Sequence, residues 1–192
     1  MKKKVFAVSA ILLCFAILAG GTAAYFTATD TAHNVITSGN VDIRVIEKQD
    51  VDGVLVDYPR EPIDRVMPGS TISKIVTVEN TGSGDAWIRV KVDKSITMKQ
   101  PGDKADPSLL TLDYNTADWM EKDGWFYYRQ PLAVGKTTTP LFRNVAVSTR
   151  MDNPYQGCAF DIDIHAQAVQ SRNNPLPGTG DFSQIPGWPT NP

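Results

Sequence analysis

The sequence predicts an all-β protein, a jelly-roll-like antiparallel β-sandwich with short helical turns in its connecting loops. Three observations predict it. Apolar and polar residues alternate with period two over most of the chain beyond residue 40. Clusters of Gly, Pro, Asn and Asp interrupt the alternating runs at short intervals. Only one region, residues 106–122, invites helical turns, and those turns are short.

The chain opens on Lys2, Lys3 and Lys4, followed by an apolar run from Val5 to Leu18 and a small-residue exit through Ala19, Gly20, Gly21, Thr22, Ala23 and Ala24. Basic start, apolar centre and small exit are the parts of a secretory signal peptide. The apolar run is shorter than the roughly 20 residues that span a bilayer. Residues 1–24 are therefore expected to be a signal peptide cut between Ala24 and Tyr25, and the mature protein to be secreted to the extracellular matrix or cell surface. Membrane contact is expected only through the uncleaved signal peptide. Residues 25–170 are expected to form one β-sandwich domain.

The first mature segment, Tyr25 to Ile36, is rich in threonine and aromatics and lacks proline, a composition that favours extended structure. Tyr25, Phe26, Thr27, Ala28 and Thr29 are its core. A strand freed by signal cleavage can pair with a sheet edge of its own domain or of a neighbour. Beyond it, Val41, Ile43 and Val45 alternate with polar residues, as do Ile72, Val76 and Val78, then Ile88, Val90 and Val92. Phe160, Ile162, Ile164, Ala166 and Ala168 alternate with Asp161, Asp163, His165 and Gln167. Each run reads as a strand with one apolar face. Turns are expected at Asp52-Gly53, Met67-Pro68-Gly69, residues 80–84, residues 100–103 and Lys122-Asp123-Gly124, the last holding a tight-hairpin candidate, Asp123-Gly124, between Met120 and Trp125. Asp106 to Leu110, with Pro107 suited to a first helical position, and Asn115 to Lys122 are the expected helical turns. From Ser171 alternation stops. Residues 171–192 carry five prolines and three glycines, so a disordered tail is expected.

Charge and cysteine content narrow the function. The 192-residue chain has a formal charge of −2, and losing residues 1–24 removes three lysines and no acids. An acidic balance without a basic cluster argues against nucleic acid as a partner. Cys158 is the only cysteine beyond the signal segment, so no internal disulfide is expected in the mature domain and Cys158 reads as a small buried hydrophobe.

Several motifs carry chemistry. Leu176-Pro177-Gly178-Thr179-Gly180 matches the Leu-Pro-x-Thr-Gly sortase signal, although Asp181 to Pro192 lacks the apolar stretch and basic end of a sorting tail. Asp161, Asp163 and His165 share a strand face and are the candidate metal ligands, on a face whose alternation equally suits solvent. Zincin chemistry needs two histidines at helical spacing beside a glutamate, and the chain has only His33 and His165. Asp50, Asp52 and Asp57 read as a charged hairpin. Trp125, Phe126, Tyr127 and Tyr128 must divide between a core-facing pair and a pair that is either exposed for ligands or covered by a loop. No catalytic residue and no cofactor are expected.

Residues 20–27 (Gly-Gly-Thr-Ala-Ala-Tyr-Phe-Thr) and 34–43 (Asn-Val-Ile-Thr-Ser-Gly-Asn-Val-Asp-Ile) resemble the opening of the TasA/camelysin family of secreted Gram-positive proteins. Residues 68–92 and 123–147 resemble it more loosely. The resemblance implies a jelly-roll sandwich, processing by a dedicated SipW-type signal peptidase, and self-association into biofilm-matrix fibres by donated N-terminal strands, with an accessory matrix protein as a further candidate partner. Two alternatives stand beside this reading: a cell-surface binding module, wall-attached through residues 176–180, and a camelysin-like metallopeptidase.

Overall fold

The computed structural model describes residues 26–29, 34–38, 41–59, 63–100 and 104–189. Among the described residues twelve strands form two sheets. The first sheet contains β1 (Phe26–Thr29), β2 (Asn34–Ser38), β5 (Ile63–Val66), β7 (Ala86–Thr97), β9 (Trp119–Lys122), β10 (Trp125–Tyr128) and β12 (Ala159–Gln170). The second contains β3 (Ile43–Val51), β4 (Val54–Asp57), β6 (Thr71–Asn80), β8 (Leu110–Leu112) and β11 (Phe142–Val147). Strand order is β5-β1-β12-β7-β10-β9 in the first, with β2 also on β12, and β4-β3-β6-β11-β8 in the second. The all-β sandwich is thus as the alternation predicts.

The core lies between the sheets and is filled by the predicted phases. Ile43 and Val45, Val76 and Val78, Ile88 and Val90, and Phe160, Ile162, Ile164, Ala166 and Ala168 are buried together with Phe142, Trp119, Phe126 and Tyr128. The longest ladder pairs β12 antiparallel with β7 from Ala159↔Thr97 to Gln170↔Ala86. At the end of β6, Asn80 is fully buried. Its amide donates to the carbonyls of Gly84 (2.9 Å) and Leu132 (2.8 Å), and its oxygen accepts from Gly82 N–H (3.0 Å). One side chain thereby ties the loop after β6 to the Leu132 carbonyl, which also accepts from Ala86 N–H at 3.1 Å.

Three expectations need correction. The sheet is not wholly antiparallel: β1 and β2 both run parallel to β12. Pro107–Leu109 is a single 3-10 turn capped by Asp106, as expected. Trp119–Lys122, however, is a strand of the hairpin with β10 and not a helical turn, because Asp123 and Gly124 take the positive φ (52° and 77°) that a tight two-residue turn requires. Finally, residues 171–189 are not a disordered tail. They cross the outer face of the first sheet, with Phe182 and Ile185 buried in a second apolar cluster with Trp87, Tyr127 and Val169. Leu176 and Trp188 pack against the same cluster. Apolar side chains spaced three apart supply the burial that overall composition conceals.

Candidate functional site

Ala24 and Tyr25, the proposed cleavage pair, and His33 lie outside the described residues. Phe26, Thr27, Ala28 and Thr29 form β1, which sits between two strands. Thr27, Ala28 and Thr29 align with Ala159, Phe160 and Asp161 of β12, while Phe26 and Ala28 align with Val66 and Ile63 of β5. In consequence β5 joins the first sheet only through β1. Further along the same side of β12, Asn34 to Ser38 of β2 align with His165 to Val169. The N-terminal segment is therefore laid along one edge of the longest strand of the sheet.

Asp161, Asp163 and His165 alternate along the outer face of β12, as the sequence predicts. His165 Nε2 contacts Asp93 Oδ2 at 3.4 Å, and Asp93 Oδ2 also meets Lys91 Nζ at 3.1 Å. Partial burial, then the neighbouring Asp163 charge, raises the Asp161 pKa above its usual range. Among the described residues no group of three or more His, Cys, Asp or Glu is arranged to hold a metal ion. The residues present do not fit a zincin centre.

Cys158 is buried, and that burial pushes its thiol up to about 11, the opposite of an activated nucleophile. A shallow pocket lined by Asp113, Asn115, Asp118, Thr139, Phe142 and Arg143 brings carboxylates together. They are committed to turn structure. Asp113 accepts from the backbone of Arg143 (2.8 Å) and Asn144 (2.7 Å) and from the Asn144 amide (2.8 Å). Although burial opposes ionisation of Asp113, these donors hold its pKa below the usual value. In the β3–β4 hairpin, Asp50 accepts from Gly53 N–H and Asp57 pairs with Lys48, so the charged-hairpin reading holds.

The aromatic run resolves cleanly. Phe126 and Tyr128 enter the sandwich core, and Trp125 and Tyr127 point to the outer face, where the C-terminal segment covers them. At the centre of that cover is Arg89. Its guanidinium lies between the Trp125 ring (4.1 Å) and the Trp188 ring (4.7 Å). It donates twice to Gln167 Oε1 and once to the Pro189 carbonyl (2.7 Å). Burial lowers the Arg89 pKa, against hydrogen bonding to Tyr127. Trp87 Nε1 donates to Asn174 O at 2.8 Å, and Lys122 pairs with Asp181. Gly187 adopts φ 84°, and a Cβ there would lie 3.0 Å from Asn174 Oδ1.

The sortase-like residues Leu176, Pro177, Gly178, Thr179 and Gly180 belong to this docked segment. Gly180 N–H donates to Pro177 O (2.9 Å), which folds the motif into a turn, and Leu176 is packed against the second cluster. Sequence reasoning missed Arg89, Gln167 and the docking residues Phe182, Ile185 and Trp188. The three-residue spacing of the last three was the available signal.

The architecture defines a two-sheet β-sandwich whose N-terminal strands β1 and β2 lie alongside β12. The family model for camelysin metallo-endopeptidase matches residues 1–110, and the chain belongs to that family, which includes TasA-type proteins. No curated protein and no solved structure matches the chain. Among the described residues no helix is long and apolar enough to cross a membrane.

Proposed function

We propose that the chain is a secreted, non-enzymatic structural subunit of an extracellular matrix, assembling into fibres by donation of its N-terminal strand. The observation that supports this reading is the position of β1 between β5 and β12. A strand in that slot satisfies hydrogen bonds on both sides, parallel to β12 and antiparallel to β5. The slot accepts the same segment whether it comes from its own chain or from a neighbour. Exchange then conserves every contact, as in domain swapping. The balance is set by the effective concentration of the tethered segment, about millimolar for a short flexible link. In this account residues 1–24 are removed on export, by the dedicated peptidase, and Tyr25 begins the donor.

The family's description raises the peptidase reading. It requires bound zinc and chelator-sensitive casein cleavage, and the absence of a His-Glu-x-x-His pair in the sequence counts against it. The module reading loses its exposed rings, because residues 171–189 cover Trp125 and Tyr127.

Proline tests the donor directly. Because β1 is flanked on both sides, each of its N–H groups faces a partner strand, and Phe26→Pro or Thr29→Pro removes one of them. Both variants should lose filaments in electron micrographs while keeping the β-sheet circular dichroism of a folded monomer. Unchanged filaments from both would remove strand donation as the mechanism.

A further inference from the structure

Four of the large apolar side chains that remain exposed are gathered on one hairpin: Val51, Val54 (62% exposed), Leu55 and Val56. The hairpin turns through Asp52 (φ 52°) and Gly53 (φ 84°), and β4 is the terminal strand of the second sheet. Natural edge strands carry lysine, proline, a bulge or a cover to prevent pairing. β9 carries Glu121 and Lys122, and β5 carries Asp64 and Arg65. β4, Val54-Leu55-Val56-Asp57, has none of these devices and one acid.

We propose that the outer edge of β4 pairs antiparallel with the β4 of a second copy of this chain, about a two-fold axis at Val56. The register follows from the hairpin. A two-residue turn makes Val51 and Val54 exchange both hydrogen bonds, and such pairs recur at every second residue. Tyr58 N–H donating to Glu47 O at 3.1 Å fits that alternation. Leu55 and Asp57 therefore direct their N–H and C=O groups outward. Outward groups must meet outward groups, and the register that pairs both outward residues of each strand sets Leu55 opposite Asp57 of the second copy and Val56 opposite its own counterpart. On one face Val56 then meets Val56, and Val54 meets the half-buried Tyr58, whose ring Lys74 Nζ approaches to 3.8 Å. On the other face each Asp57 arrives already paired with its own Lys48 at 3.0 Å, so the edges meet without net like-charge repulsion. The contact is isologous and closed, taking one partner only. It is independent of strand donation, and in a fibre it would join two strings side by side.

Disulfide trapping in the full mature chain tests the register. Residues opposite each other at a non-hydrogen-bonded position have Cβ atoms about 4.5–5.5 Å apart, within reach of a disulfide after slight adjustment. Val56→Cys should give a crosslinked dimer under mild oxidation. Val54→Cys, displaced by two residues from the axis on each strand, should not, nor should the exposed control Val134→Cys. Cys158 is too buried to compete. Leu55→Pro, which removes only an outward N–H, should abolish the dimer seen by sedimentation. Adding Phe26→Pro to Val56→Cys should remove filaments and leave the crosslink, which separates this interface from strand donation. Equal crosslinking at all three positions, crosslinking favoured at Val54, or none at Val56 would overturn the proposal.

Discussion

Asn80 and Arg89 hold the two ends of the outer architecture through different physics. Asn80 ties two carbonyls and one N–H together with a single buried neutral side chain. Asn80→Ala removes the side-chain partner of the half-buried Gly84 carbonyl and Gly82 N–H, while the Leu132 carbonyl keeps Ala86 N–H, and should lower unfolding stability by roughly 1–2 kcal/mol, measured by urea denaturation with an unchanged m-value. A loss below about 0.5 kcal/mol would mean that water replaces the amide. Arg89 instead depends on stacking between two indoles and on a backbone carbonyl that arrives from the C-terminal segment. Sequence patterning finds neither role. Asn80 stands in a turn cluster where asparagine is ordinary, and Arg89 alternates with Ile88 and Val90 as any solvent-facing residue would. The alternation identifies a face without saying what covers it.

At the scale of elements, β7 and β12 were legible as strands because Ile88 to Asp93 and Phe160 to Ala168 alternate, which fixes the face that each buries. The parallel placement of β1 and β2 was not legible, since a four- or five-residue strand carries no directional information about its partner. The C-terminal segment was misread because proline and glycine content describes backbone preference and misses the buried Phe182 and Ile185 and the half-buried Trp188. Its docking has a pH signature. The Asp181 pKa is lowered to about 2, first by its contact with Lys122 and then by Ser183. A depressed carboxylate pKa stabilises the docked state above the unfolded value of 3.8 and loses that contribution as pH falls toward 2. Tryptophan fluorescence should therefore report undocking of Trp188 between pH 4 and pH 2, and Asp181→Asn should flatten that transition. Since the pair is exposed at Lys122, high salt should weaken it. A pH response identical in Asp181→Asn and wild type would assign docking to the apolar anchors alone.

Among the described residues the sandwich holds β1 between β5 and β12 and leaves β4 at one end of the second sheet. Family membership rests on residues 1–110, a stretch that includes β1, β2 and the β3–β4 hairpin. The chain's two histidines are not at zincin spacing, and among the described residues no group of three or more His, Cys, Asp or Glu is arranged to hold a metal ion. Strand donation would account for the placement of β1 between two strands. The most direct test is negative-stain electron microscopy of the mature chain beginning at Tyr25, beside the same chain lacking residues 25–36. The account predicts filaments from the complete form and none from the shortened one. Filaments of equal abundance from both, or monomers from both, would contradict it.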